Sequence, residues 1–125
     1  MVVDCSVLSA ILFQEDSRED ALRIVARRTL HAPLILESEI ASVALKKQRG
    51  GVPEARIAAG LALFEDQAIE LHRPPVQAQY ELARRYGLSA YDAGHVWLAG
   101  VLQAQLATFD AKLAKAAQKH LDEPG

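Results

Sequence analysis

Hydrophobic residues along the chain fall into short runs typical of strands and longer stretches with helical spacing. The first run, residues 2–4, passes at once into apolar residues that recur with the spacing of one helix face. Later short runs also alternate with amphipathic stretches. The pattern predicts four strands, at residues 2–4, 32–36, 68–71 and 106–108.

Helical segments are predicted between and after these strands, about seven in all. The third is expected to end at Gly50, because glycine adopts the left-handed conformation of a helix cap, and the fourth to begin at Pro53. Pro33 indicates that the second strand lies at an edge or begins there, since proline cannot donate to a strand ladder. The other helices with predicted bounds lie near residues 18–29, 76–86, 89–103 and 111–120.

Strands that alternate with helices favour parallel βαβ units, in which helices cover both faces of one sheet. The predicted fold class is therefore α/β, a helix-rich sandwich. A chain of 125 residues is long enough to bury a core and short enough for one domain, predicted over residues 1–125. The C-terminal segment "LDEPG", residues 121–125, is expected to fray.

Composition narrows the class of protein. Half of the residues are hydrophobic and 24% are charged, which is typical of a globular chain. No apolar run approaches the roughly 20 residues that cross a bilayer, and the start has no secretory pattern, so we expect a soluble cytoplasmic protein. The single cysteine, Cys5, excludes an internal disulfide and is expected to be buried and inert. A net charge of -2 gives no general attraction to nucleic acid, so such binding would need a local basic patch.

Acidic residues stand near the points where strands give way to helices. Asp4 ends the first strand, Glu39 lies in the helix after the second, and Asp110 follows the fourth. Asp92 opens the sixth helix. Since the carboxyl ends of parallel strands lie on one side of a sheet, where ligands bind, we expect these side chains to converge.

Helix capping is the alternative explanation for each acid taken singly, because carboxylates favour helix N-termini. Residues 89–92 even form a capping box, with Ser89 as the cap and Asp92 at the third helical position. Glu37 competes with Glu39, although helix phase puts Glu39 nearer the packed side. Joint placement argues for more than capping, because converging carboxylates raise each other's pKa unless a cation compensates them.

A hard divalent ion would provide that compensation. Carboxylate oxygens together with water are the ligands that Mg²⁺ or Mn²⁺ accepts. No cysteine or histidine cluster is evident in the sequence to favour a softer metal. The sequence therefore predicts a site for Mg²⁺, with Mn²⁺ as a substitute.

Four segments carry a resemblance to a known family. Asp4 and Ser6 after the first strand, "APLILESEIASVALKK", "LSAYDAGHVWLA" and "LATFDAKLAKAA", in this order and at these separations, resemble a PIN-domain ribonuclease. More narrowly, they resemble the VapC-type toxins of type II toxin–antitoxin systems. The resemblance covers nearly the whole chain. It implies a PIN-like three-layer α/β/α sandwich, with a short, mostly parallel central sheet of four or five strands flanked by about seven helices.

The resemblance also implies an activity. It is that of a Mg²⁺- or Mn²⁺-dependent endoribonuclease that hydrolyses phosphodiester bonds in single-stranded or structured RNA. Such a toxin is commonly a homodimer, and a cognate antitoxin covers its groove. The catalytic and metal-binding residues implied by the resemblance are Asp4, Glu39, Asp92 and Asp110, with Ser6 and Thr108 as supporting hydroxyls.

Two features depart from the family pattern. The chain shows little strand character after its last helix, so a fifth strand is expected to be missing or minimal. His95 stands where similar proteins often have an apolar or aromatic residue. A packed helix histidine is the favoured interpretation of His95, and contact with substrate is the alternative.

Basic and aromatic side chains are candidates for RNA contact, because phosphates require cations near an acidic groove. Basic side chains at the C-terminal ends of helices also stabilise the last carbonyl groups, so a purely structural role is the alternative. Tyr91 and Trp97 either stack on a base or belong to an apolar core or interface. Residues 61–64 and 11–13 either contact a partner or belong to the core. The basic candidates are Lys112, Lys46, Lys47 and Arg49.

Two other functions compete with a nuclease. A receiver-like Mg²⁺-binding phosphoacceptor domain would carry paired acids after the first strand, whereas "VVDCS" has one. A non-catalytic PIN-like binding module would lack one or more of the acids, whereas all four positions are acidic here.

Overall fold

Every strand pairing in the structure is parallel. The computed structural model describes residues 1–123, which contain four strands and seven helices. In chain order the elements are β1 Val2–Val3, α1 Cys5–Leu12, α2 Arg18–Val25, β2 Leu30–Pro33, α3 Ile35–Arg49, α4 Glu54–Glu65, β3 Ile69–His72, α5 Val76–Tyr86, α6 Ala90–Leu102, β4 Leu106–Ala107 and α7 Ala111–Asp122.

The sheet has the strand order β3-β2-β1-β4. From β1 the chain first adds β2 and β3 on one side and then crosses over to place β4 on the other. Val2 accordingly pairs with His31 of β2 and with Leu106 of β4. The strand order therefore reverses between β1 and β4, which is the position where ligands bind in open parallel sheets.

Helices cover both faces of the sheet at its central strand, β1. Val2 and Val3 have no exposed surface, and successive strand residues point to opposite faces. Val3 belongs to the core cluster that includes residues of α1, α3 and α4, whereas Val2 packs with Leu98 and Ala99 of α6. The expected α/β sandwich with helices on both faces is thus confirmed.

The second strand differs from its predicted bounds. It spans Leu30–Pro33 instead of residues 32–36, and α3 begins at Ile35. Leu36 and Ile40 are both buried four positions apart, so the second half of this apolar run follows the helical period.

Pro33 ends a central strand, so the expectation of an edge strand or a strand start is wrong. The strand tolerates this proline because of the point at which the hydrogen bonds between β1 and β2 end. The His31 N–H donates to the Met1 carbonyl of the neighbouring chain segment, and the Leu34 N–H donates to His72 on the other side. Alternate residues of a strand hydrogen-bond to the same neighbouring strand, so Pro33, like His31, is directed toward β1. Val2 and His31 form the one register pair between β1 and β2, so the hydrogen-bond ladder ends before it reaches Pro33.

The remaining boundaries differ by a few residues. Helix α2 ends at Val25 instead of residue 29, because the next two residues leave the helical conformation. Helix α7 continues to Asp122, so the beginning of the segment expected to fray is helical, while Pro124 and Gly125 lie outside the described residues. Residues 1–123 contain no fifth strand. None of their helices is long and apolar enough to span a membrane.

Gly60 marks a close approach between α4 and the end of α1. A Cβ at this position would lie 2.8 Å from the Leu12 carbonyl oxygen and 2.5 Å from the buried Phe13 ring. Substitution Gly60→Ala should therefore destabilise the protein by about 1–3 kcal/mol through overpacking. This sign is opposite to the gain of about 1 kcal/mol that alanine brings to an exposed helix.

Urea unfolding at pH 7 measures this difference. Gly50→Ala is the matched control, because its Cβ would meet carbonyl oxygens only at 3.5 Å. We expect the control to change the free energy of unfolding by less than about 0.5 kcal/mol. A Gly60→Ala protein as stable as wild type would contradict the close packing of α1 and α4.

Candidate active site

Asp4 is a buried carboxylate at the carboxyl end of β1, with 7% of its surface exposed. It caps α1, and its Oδ1 accepts hydrogen bonds from the Val7 N–H at 3.2 Å and the Ser6 hydroxyl at 2.7 Å. Its Oδ2 accepts a hydrogen bond from the Thr108 hydroxyl. Three donors thus fix both oxygens, and Oδ2 keeps a free lone pair for a further partner.

The two hydroxyls join the ends of β1 and β4 to each other. Ser6 Oγ accepts from the Phe109 N–H at 2.9 Å while donating to Asp4. Thr108 Oγ1 accepts from the Asp110 N–H at 3.0 Å while donating to the other Asp4 oxygen. Each hydroxyl therefore links a backbone N–H after β4 to one oxygen of Asp4, and together they fix the orientation of that carboxylate.

Asp110 and Asp92 begin the two helices on either side of β4. Asp110 caps α7 by accepting the Leu113 N–H at 3.1 Å. The Asp92 N–H donates to the Ser89 hydroxyl at 3.1 Å, which is the predicted cap of α6. Capping therefore occurs at these helix starts, but it does not explain the mutual placement of the acids.

Neighbouring carboxylates shift the pKa of Glu39 and that of Asp92. Burial raises the pKa of Glu39 to about 7, and the carboxylates of Asp4 and Asp92 add to the rise. Burial also raises the pKa of Asp92. The neighbouring His95 opposes that rise, and Asp110 and Asp4 reinforce it. Asp4 thus acts on both groups, as expected if the strand ends share one crevice.

Glu39 holds a buried oxygen without a partner. Its Oε1 has no hydrogen-bond partner among the described residues, which is unusual for a buried polar atom. Glu37, the competing acid on the same helix, is exposed. Beside Glu39 lies a groove lined by Cys5, Ile35, Ser38, Ser42, Val43 and Tyr91.

His95 is packed inside the protein, as the favoured interpretation required, with 1% of its surface exposed. Its Nδ1 donates to the Tyr91 carbonyl oxygen at 3.1 Å, because a carbonyl can only accept. Nε2 is then a bare lone pair, and it has no hydrogen-bond partner within residues 1–123. Burial lowers the pKa of this imidazole, so the neutral form is favoured at neutral pH.

The predicted basic residues do not form one patch beside the acids. Lys112 Nζ donates to the Gly87 carbonyl oxygen at 2.7 Å, and Lys47 pairs with Glu15 at 3.1 Å. Lys46 and Arg49 are exposed near the end of α3. At 1.5 Å per residue, this end of the helix is about 10–15 Å along the axis from Glu39.

Several apolar and sulfur-containing side chains also have a defined environment. Tyr91 is 61% exposed, so it does not belong to the core, whereas Trp97 packs against two buried clusters. Residues 11–13 are buried, and Leu61 and Leu63 are partly exposed. Cys5 is half-buried rather than buried, and burial raises the pKa of its thiol to about 12, which disfavours the reactive thiolate.

One group of metal-ligating side chains escaped the sequence analysis. The donor atoms of His31, Glu70 and His72 all lie within 4.8 Å of one another. The expectation of no histidine cluster is therefore wrong. The only signal in the sequence is the alternation of Glu70 and His72 in one strand, and it does not reveal that His31, about forty positions away, pairs beside them.

Comparison with known proteins shows the family to which the chain belongs. The chain belongs to the PIN domain family, whose sequence model matches residues 1–119. The fold is also that of the crystal structure of PAE2754 from Pyrobaculum aerophilum, with a TM-score of 0.68 and 21% identity. That match covers 96% of this chain and 85% of the other.

Within the family, the chain is similar to proteins named VapC ribonucleases. It is 33% identical to VapC ribonuclease Mb0985 of Mycobacterium bovis and to Ribonuclease VapC9 of Mycobacterium tuberculosis, over 94% of this chain and 91% of theirs. It is 27% identical to Ribonuclease VapC3 of Pyrobaculum aerophilum, over 92% of each chain.

Removal of the Thr108 hydroxyl should destabilise the protein. The substitution Thr108→Val keeps the shape of the side chain but leaves Asp4 Oδ2 and the Asp110 N–H without this partner. We expect a loss of about 2 kcal/mol in the free energy of unfolding, as for hydrogen bonds to charged groups. Thr29→Val, at an exposed position, is the control. Equal stability of the two variants would show that the hydroxyl does not support Asp4.

Glu39 should make stability depend on pH in the absence of divalent ions. Its pKa rises from 4.5 to about 7 on folding, so the folded state binds the proton more tightly and loses stability as pH rises through that interval. We expect Glu39→Gln to have a higher Tm than wild type at pH 8 in chelator, with the difference vanishing near pH 4.5. Thermal unfolding across this range measures it, and exposed Glu37→Gln is the control. The same pH profile for wild type and Glu39→Gln would refute the raised pKa.

Proposed function

We propose that this protein is a divalent-metal-dependent endoribonuclease, the toxin of a VapC-type toxin–antitoxin pair. It hydrolyses phosphodiester bonds in single-stranded or structured RNA, and a cognate antitoxin silences it. The observation that carries the proposal is the unpartnered Oε1 of Glu39, buried next to Asp4 and Asp92 in a chain of the PIN domain family. The names of its relatives, which are ribonucleases, support the same reaction.

The proposed metal ligands are the four acids. Glu39 offers an oxygen without a partner, and Asp4 Oδ2 keeps a free lone pair beside the Thr108 hydroxyl. Asp92 and Asp110 add two carboxylates, and the charge of Asp110 raises the pKa of Asp92. This all-oxygen donor set fits Mg²⁺, with Mn²⁺ as a substitute. When bound, such an ion would neutralise charge on the reacting phosphate and lower the pKa of an attacking water.

The chain itself supplies orientation. Ser6 and Thr108 hold the Asp4 carboxylate in one position, so the proposed ligand does not have to be ordered when the ion binds. A proton and the metal ion compete for the Glu39 carboxylate near neutral pH, so ion binding should strengthen as pH rises through about 7. Tyr91, exposed beside the groove next to Glu39, offers a ring on which an unpaired base can stack.

Contacts with the rest of the RNA remain a prediction. Lys112 stays the favoured phosphate contact, because it begins the same helix as Asp110. Lys46, Lys47 and Arg49 would meet phosphates farther along the strand, as their distance from Glu39 requires. A homodimer, a cytoplasmic location and a single PIN-like domain over residues 1–125 complete the proposal, and the family match over residues 1–119 supports the last of these.

Two alternatives are separated by the same experiment. Membership of the PIN domain family speaks against a receiver-like phosphoacceptor domain, which would be labelled on an aspartate by a small phosphodonor. A non-catalytic binding module would retain RNA and leave it intact.

The proposal is tested by cleavage of a panel of single-stranded and hairpin RNAs with Mn²⁺, with Mg²⁺ and with excess chelator. We expect wild type to cut only with a divalent ion. Loss of a ligand should lower the rate more than about 100-fold in Asp4→Asn, Glu39→Gln and Asp92→Asn, since even outer partners of a metal site cost 10–100-fold.

Glu37→Gln and Asp66→Asn are the controls, because both remove exposed carboxylates and leave the cluster intact. Both should cut at the wild-type rate. Cleavage that survives chelation and all three cluster substitutions would overturn the proposed site. Bound but uncut RNA under every condition would favour the binding module.

A further inference from the structure

A second group of metal-ligating side chains lies on β2 and β3, the two strands on the far side of β1 from β4. Glu70 and His72 alternate along β3 and so point to the same face. His31 of β2 is the register partner of Glu70. The parallel pairing of two neighbouring strands therefore brings two imidazoles and one carboxylate together.

The distances between the donor atoms suit one metal ion. His31 Nδ1 lies 3.0 Å from His72 Nε2 and 3.3 Å from Glu70 Oε2. With bonds of about 2.0–2.2 Å, two donors on one ion stand roughly 2.9–3.4 Å apart, depending on the angle between them. Two of the three donor pairs thus already have the spacing of ligands on one ion, and the third pair lies within 4.8 Å.

The surroundings give this trio both rigidity and access. The face is that of α6, because Val2, the other register partner of His31, packs with Leu98 and Ala99 of that helix. The His31 side chain is 18% exposed, whereas that of Glu70 is 65% exposed. A metal can therefore reach the trio from solvent while one ligand stays fixed in the sheet.

The donor set selects a different class of metal from that of the acidic cluster. Imidazole nitrogens suit borderline transition metals such as Zn²⁺, whereas Mg²⁺ takes oxygen ligands. The trio shares no residue with Asp4, Glu39, Asp92 or Asp110. Occupancy of one site therefore does not require the other.

We propose that His31, Glu70 and His72 form a binding site for a borderline divalent transition metal, for which Zn²⁺ is the probe, and that the bound ion fastens the edge strand β3 to β2. β3 pairs with β2 alone, and all four of its residues are partly or fully exposed. Cross-linking by an ion bound only to the folded state would stabilise this edge. The inference does not depend on the proposed ribonuclease activity.

Zn²⁺ binding to the untagged, metal-stripped full chain tests the site, by competition with a chromophoric chelator. We expect one tight Zn²⁺ per chain, and a loss of affinity of about ten-fold or more in His72→Ala and Glu70→Gln. His120→Ala is the matched control, since it removes an imidazole that contacts Tyr86 outside the trio. It should bind Zn²⁺ as wild type does.

Asp92→Asn separates the two sites. Retention of the tight Zn²⁺ in Asp92→Asn supports the trio, whereas its loss there but not in His72→Ala would overturn the proposal. Zn²⁺ should also raise the Tm of wild type more than that of His72→Ala. If His72→Ala unfolds, the exposed Glu70→Gln variant decides, and wild-type affinity in Glu70→Gln would also overturn the site. RNA is absent throughout, so an inactive nuclease leaves this result unchanged.

Discussion

A single buried carboxylate, that of Asp4, joins the two strands between which the sheet reverses its order. Its oxygens accept hydrogen bonds from Ser6, from Thr108 and from the first turn of α1. Burial of a charge is unfavourable unless donors compensate it, so the ends of β1 and β4 are held in the one arrangement that supplies them. The same arrangement places Asp110, because Asp110 stands two residues after Thr108 and its N–H donates to the Thr108 hydroxyl.

The acids differ in how well their surroundings compensate their charge. Asp4 is satisfied by hydrogen bonds, whereas Glu39 keeps an unpartnered oxygen and a pKa near neutrality. The charged form of Glu39 is unfavourable in these surroundings, and a bound cation would stabilise it. Groups with such a shifted pKa are typical of functional sites. The family to which the chain belongs supports that use, and a groove lies beside Glu39.

The two proposed metal sites would place two different metal chemistries on one sheet. The first site would use Asp4, Asp92 and Asp110 at helix N-termini and Glu39 in the second turn of α3, all of them oxygen donors. Along β2 and β3, register pairing sets His31 beside Glu70, and alternation adds His72 on the same face. The first set depends on where strands end, and the second depends on how strands are aligned.

The sequence by itself determined the class of fold and the bounds of α5. It also predicted that the four acids lie close together, because the carboxyl ends of parallel strands lie on one side of a sheet. Tertiary structure decided where the apolar run around Pro33 changes from strand to helix, since a short apolar run fits both periods and the burial of Leu36 and Ile40 selects one. It also decided the partners of two basic side chains, since Lys112 donates to the Gly87 carbonyl oxygen and Lys47 pairs with Glu15. The pairing of His31 with Glu70 came only from the fold, because register between strands distant in sequence is set by the packing of the whole sheet and leaves no local pattern.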